Sequence, residues 1–122
     1  MTSPWMLIGA VYGLLGVAAG AFGAHALRGR LPEDMLAIFR TAVEYQFWHV
    51  AALLGIGLLA RHSAGAWLTA SGVAFTLGVL VFSGSLYVLA LSGVRVWGAV
   101  TPIGGVGLIA GWLCLIVHLL RS

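Results

Sequence analysis

A carboxylate, a phenol and an imidazole stand close together in the stretch TAVEYQFWH, residues 41–49, as Glu44, Tyr45 and His49. Such groups can pass a proton, hold a cation or activate a nucleophile. The stretch runs directly into VAALLGIGLLA, an apolar run that can enter a bilayer. At about 100° per residue, Arg40 and Glu44 lie one turn apart on one side of a helix and can form an ion pair. Thr41, Tyr45 and His49 form a neighbouring row, while Gln46 and Trp48 point elsewhere. Ionisable groups inside a membrane usually face the bundle and pair, because an unpaired charge at the bilayer centre is expensive. The expected site is therefore one polar network near the end of the first apolar run: His25, Arg40, Glu44, Tyr45, Gln46 and His49, joined by Ser83, Ser85 and Tyr87 of a later run. His62 and His118 belong to the opposite surface.

Each chemistry has a plainer rival. An Arg40–Glu44 pair is more often a salt bridge at the helix entry than a proton-handling site. His25 is placed to cap the end of the first run, where a helix C-terminus favours a cation. His49, about 12 Å along the helix from Thr41, is harder to explain at the surface; a hydrogen bond to a Ser or Tyr of a facing helix is its commonest role. Haem ligation by His25 and His49 meets a depth difference of more than one turn and has no CxxCH motif. Zinc would need further ligands, and the single cysteine, Cys114, lies elsewhere. Ser83 or Ser85 with His49 as base rests on FSGS alone, a weak motif, and no phosphate-cradling loop exists. No catalytic residue, metal site or cofactor is assigned. The function expected is a non-enzymatic structural, accessory or ligand- or lipid-binding role. A small proton-linked or solute-conducting protein is the alternative, and a membrane enzyme or cofactor carrier comes third.

The elements that must position these groups follow from composition. Of 122 residues, 61% are hydrophobic and 7% charged, with a mean hydropathy of +1.09. A soluble domain carries roughly 25% charged residues, so the chain belongs in a membrane, and the bilayer is its first partner. The six scattered Arg form no basic stripe for nucleic acid. Four apolar runs, 5–27, 41–60, 66–91 and 100–120, each reach the roughly 20 residues that one crossing needs. Without water to satisfy the backbone they must be helical, and they lack the alternation of barrel strands. The fold class expected is an all-α, up-and-down bundle of four transmembrane helices forming one domain over 1–122.

AHA at 24–26 has the spacing of a signal-cleavage site, but no basic segment precedes the first run and Arg28 and Arg30 follow it, so the run is read as retained. Residues 31–40 are expected as a short amphipathic segment in the interface, with one long helix running on into the second span as the alternative. Arg28, Arg30, Arg40 and Arg95 outnumber Arg61 and Arg121, which puts both termini on the non-cytoplasmic side.

Glycine placement sets the packing. Gly9, Gly13, Gly16, Gly20 and Gly23 keep one seam in the first span; Gly104, Gly107 and Gly111 keep one in the fourth, and Gly78 joins the small-residue track of the third. In lipid, close backbone contact drives association. A tight left-handed bundle with little central volume is expected, and the same seams could instead serve a homo-oligomer or a membrane protein partner.

Four separated motifs, GAFGAHAL at 20–27, FRTAVEYQFWH at 39–49, FSGSLYVLALSG at 82–93 and GAVTPIGGVGLIAGW at 98–112, resemble the small-membrane-protein family called domain of unknown function 423. Its eukaryotic relatives are named transmembrane protein 256. The matching positions are Gly20, Gly23, His25, Thr41, Tyr45, Gln46, His49, Ser83, Gly84, Ser85, Thr101, Pro102 and Gly104. The resemblance implies a four-span protein of the bacterial inner membrane and carries no activity with it.

Overall fold

The computed structural model describes residues 3–122. The first span opens as α1, Pro4–Val17, where Ser3 Oγ accepts a hydrogen bond from the Trp5 N–H at 3.3 Å and Pro4 supplies the fixed φ of a first turn. It continues without a break through a π-helical segment, Ala18–Gly23, into α2, Ala24–Leu27. Gly29, at φ +82, turns the chain. α3 spans Glu33–Leu59, with Glu33 and Asp34 in its first turn facing the positive end of the helix dipole. α4 spans Ala66–Ser92 and ends at Gly93, φ +71, whose N–H donates to the Leu89 carbonyl at 2.8 Å. α5 spans Trp97–Arg121. Pro4–Leu27, α3, α4 and α5 are each long and apolar enough to cross a membrane, and the described residues hold no strand.

The alternative for residues 31–40 is the one realised. Residues 33–40 are the first turns of α3 rather than a separate interfacial helix. No Gly or Pro interrupts the run, and Met35, Leu36 and Phe39 are buried. Met35 and Ala42 pack with Leu86 and Leu89 at the end of α4, so apolar contact draws this segment into the bundle.

The packing order explains what is inside. The first span lies on α3, α3 on α4, and α4 most extensively on α5. A core of Leu53, Ile56, Leu68, Phe75, Val79 and Leu108 sits where α3, α4 and α5 meet. Glycines line the contact of the first span with α3 and that of α4 with α5. A Cβ on Gly9 would meet Leu53 and Leu54, on Gly13 Val50, on Gly16 Phe47, on Gly20 Val43 and on Gly23 Phe39. Between α4 and α5, Gly104 faces the Phe82 backbone, Gly107 approaches the Gly78 Cα, Gly78 meets Leu108, and Gly111 meets the Phe75 ring. Gly57 against Met6 and Gly72 against Trp5 are equally crowded, and no seam in the sequence marks them. Large apolar side chains such as Leu14, Phe22, Leu80, Ile103 and Leu120 point outward, as a lipid-facing surface requires.

Candidate functional site

Three polar centres gather the hydrogen bonds of Gln46, His49 and Ser85. The first crosses three helices. Gln46, on the buried side of α3, donates from Nε2 to the Tyr12 carbonyl at 2.7 Å and accepts at Oε1 from the Tyr87 hydroxyl at 2.6 Å. A carbonyl only accepts, which fixes the amide orientation. Tyr12 in turn donates its hydroxyl to the Thr76 carbonyl at 2.7 Å. A helical side chain leans toward its own N-terminus, and this lean carries the long Tyr87 side chain along α4 toward Gln46. One turn from Tyr87, Ser83 donates to the Ala42 carbonyl at 2.7 Å. A void of about 190 Å³ opens beside this centre, walled by Tyr12, Leu15, Gln46, Leu80, Ser83 and Tyr87.

The second centre is His49, only 4% exposed. Its Nδ1 lies 2.7 Å from the Tyr45 carbonyl, and its Nε2 accepts from the Trp112 indole N–H at 3.1 Å. An indole N–H is purely a donor and a carbonyl purely an acceptor, so the imidazole is held as the neutral Nδ1–H tautomer with both nitrogens engaged. Phe75 and Trp112 flank the ring at centroid distances of 5.3 and 5.8 Å. Outside it, Tyr45, Trp48, Phe82, Gly105, Ile109 and Trp112 line a cleft of about 370 Å³ between α3 and α5. The Tyr45 ring packs, tilted, against Phe82 and Trp48 at centroid distances of 4.5 and 4.7 Å.

The third centre joins α4 to the start of α5, where the Ser85 and Thr101 hydroxyls lie 2.6 Å apart. Ser71, nearer the other end, donates to the Gly111 carbonyl at 2.7 Å. Among the described residues no buried side-chain nitrogen or oxygen lacks a partner.

The structure thus brings Gln46, Tyr87 and Ser83 to one contact region, gives His49 to another with Tyr45, and Ser85 to a third. It does not bring in His25, Arg40 or Glu44. His25 is exposed at the end of the first span, and Arg40 and Glu44 are exposed on α3. The expected Arg40–Glu44 ion pair is not formed: among the described residues the ion pair present is Arg95–Asp34, 3.6 Å, between highly exposed side chains. Residues left out of the expected network are Tyr12, Trp112, Thr101 and Ser71; of these, Ser71 stands on the small-residue track of the third span and Thr101 is among the positions that match the family. Trp112 carried a usable signal, an indole donor set in the seamed helix α5. At the opposite end of the bundle, His118 is buried and its Nε2 lies 2.8 Å from Ser63 Oγ. Among the described residues no group of three His, Cys, Asp or Glu could hold a metal ion.

Comparison with known proteins agrees with this architecture. The family model described as protein of unknown function (DUF423) matches residues 19–105. The UPF0382 inner membrane protein YgdD of Escherichia coli (strain K12) is 43% identical over 122 residues, covering 99% of this chain and 93% of the relative. The UPF0382 membrane protein YwdK of Bacillus subtilis (strain 168) is 38% identical over 114 residues, covering 93% of each. A UPF0382 membrane protein of Staphylococcus haemolyticus is 42% identical over 113 residues, covering 93% and 92%. No solved structure matches the chain. A match through the spans that carry Gln46, His49, Ser83 and Ser85, together with relatives aligned almost end to end, makes this chain a member of the DUF423 family of membrane proteins, whose relatives bear the UPF0382 name.

Proposed function

We propose that the chain is a non-enzymatic accessory protein of the inner membrane, with both termini on the non-cytoplasmic side, that acts by contact rather than by chemistry. The observation that carries this reading is the state of His49. The one deep imidazole is closed on both sides, by the Tyr45 carbonyl and by the Trp112 indole. A general base or a proton carrier needs a free nitrogen facing its substrate, and a haem or metal ligand needs the same. Gln46, Tyr87, Ser83 and Ser85 are spent in the same manner on helix-to-helix bonds, the habit of intramembrane polar glue. The test is purification of the native protein in a mild detergent with mass spectrometry of all that accompanies it. The reading predicts a membrane protein at fixed ratio; a homogeneous chain free of any protein partner contradicts it.

The cleft between α3 and α5 favours a second reading, a lipid- or ligand-binding protein. Its largely aromatic walls, from Tyr45, Trp48, Phe82 and Trp112, suit a flat or chain-like apolar molecule. That reading predicts a lipid retained at fixed ratio in the same experiment, lost on Trp112→Ala.

A further inference from the structure

The exposed face of α3 is the unusual surface of this molecule. Ala37, Arg40, Glu44, Trp48, Ala51 and Gly55 are all exposed, and at about 100° per residue they form one stripe along the helix. The first span and α4 occupy the other sides of α3. Within the stripe stands a carboxylate. From Glu44 to the end of α3 at Leu59 is about 22 Å of helix, less than the roughly 30 Å of hydrocarbon that a crossing covers. Glu44 therefore lies inside the apolar layer, whichever way the protein is oriented. Arg40, about 6 Å nearer the surface, lies at its edge. Arg40 is long enough to snorkel to the headgroups, whereas the shorter Glu44 is not. Neither has an ionic partner among the described residues of its own chain.

The geometry points to a second copy of this chain as the occupant of the stripe, in a parallel dimer about a two-fold axis normal to the membrane. Insertion with one topology makes any two-fold pair parallel, so each residue near the axis meets its own counterpart. Each Arg40 stands level with its own counterpart and reaches diagonally to the partner's Glu44 one turn deeper, across an axial offset of about 6 Å that an extended arginine covers. Two ion pairs form where one chain alone forms none. Ala37, Ala51 and Gly55 on the same stripe keep the helices close, and a Cβ on Gly55 would meet nothing within 4 Å in the single chain. The aromatic cleft beside Trp48 stays at the margin of the contact. This inference does not depend on the accessory role proposed above, since a dimer can act with or without a further protein.

The test is disulfide trapping in native membranes. With Cys114→Ala removing the natural thiol, Ala51→Cys places one thiol near the axis, and Leu14→Cys and Leu80→Cys place thiols on other lipid-facing surfaces. Oxidation is expected to link Ala51→Cys into a dimer and to leave the other two monomeric. Adding Arg40→Glu or Glu44→Arg alone is expected to reduce the link by about five-fold or more, the effect of an interhelical polar contact. Co-expressing these two differently tagged variants is expected to restore it between unlike chains. Arg40→Gln and Glu44→Gln, milder changes, should weaken the link and guard against failed insertion. Equal linking at all three positions, linking indifferent to the charges, or no link at Ala51 overturns the dimer. So does linking of Ala51→Cys to another protein, which would leave the accessory role standing.

Discussion

Gln46 and His49 illustrate what single side chains do in this bundle. Gln46 serves two helices at once, so its loss strands the Tyr87 hydroxyl beside the neighbouring void. Gln46→Leu and Tyr87→Phe should each lower stability by about 1 kcal/mol, the measured scale of polar contacts between membrane helices. The double variant should lose less than the two losses added, because the two groups share one bond. Thermal unfolding in detergent, followed by circular dichroism, reads all three. At His49 the shape of the replacement decides. Glutamine can both donate to the Tyr45 carbonyl and accept from Trp112, so His49→Gln should stay near the wild-type melting temperature, while His49→Leu strands the indole N–H and should fall by about 1 kcal/mol.

At the scale of elements, glycine decides how closely helices approach. Gly104 sits against the Phe82 backbone, which has no rotamer with which to yield, whereas Gly55 has open space. Gly104→Ala should therefore destabilise by about 1–3 kcal/mol, the range for overpacking, and Gly55→Ala should leave the isolated chain's melting temperature unchanged. The elements were largely legible in the sequence, since four apolar runs of crossing length dictate four helices in lipid. Residues 31–40 show where legibility stopped. Helical continuity and an interfacial segment share one amphipathic pattern, and contact of Met35 and Ala42 with Leu86 and Leu89 chose between them. The site was legible by residue type more than by arrangement. Periodicity placed Arg40 and Glu44 on one side of α3, but it could not tell that the side faces outward, since facing is a property of neighbours. For the same reason Tyr12 and Trp112, from helices whose relative rotation the sequence leaves open, were missed.

For the whole molecule, the interior is closed and the surface carries what is left to do. Among the described residues the buried polar side chains find partners within the protein, largely backbone carbonyls, while Arg40, Glu44 and the aromatic cleft look outward. The Arg bias predicts the orientation: a C-terminal alkaline phosphatase fusion should be active and a C-terminal green fluorescent protein fusion dark. The central claim is that the buried polar groups hold helices together and move no proton. Proton entry into liposomes carrying purified protein, reported by a trapped pH-sensitive dye under an imposed potential, tests this most directly. The account predicts the rate of protein-free liposomes for wild type and His49→Gln alike. Entry above that rate that His49→Gln abolishes would contradict it.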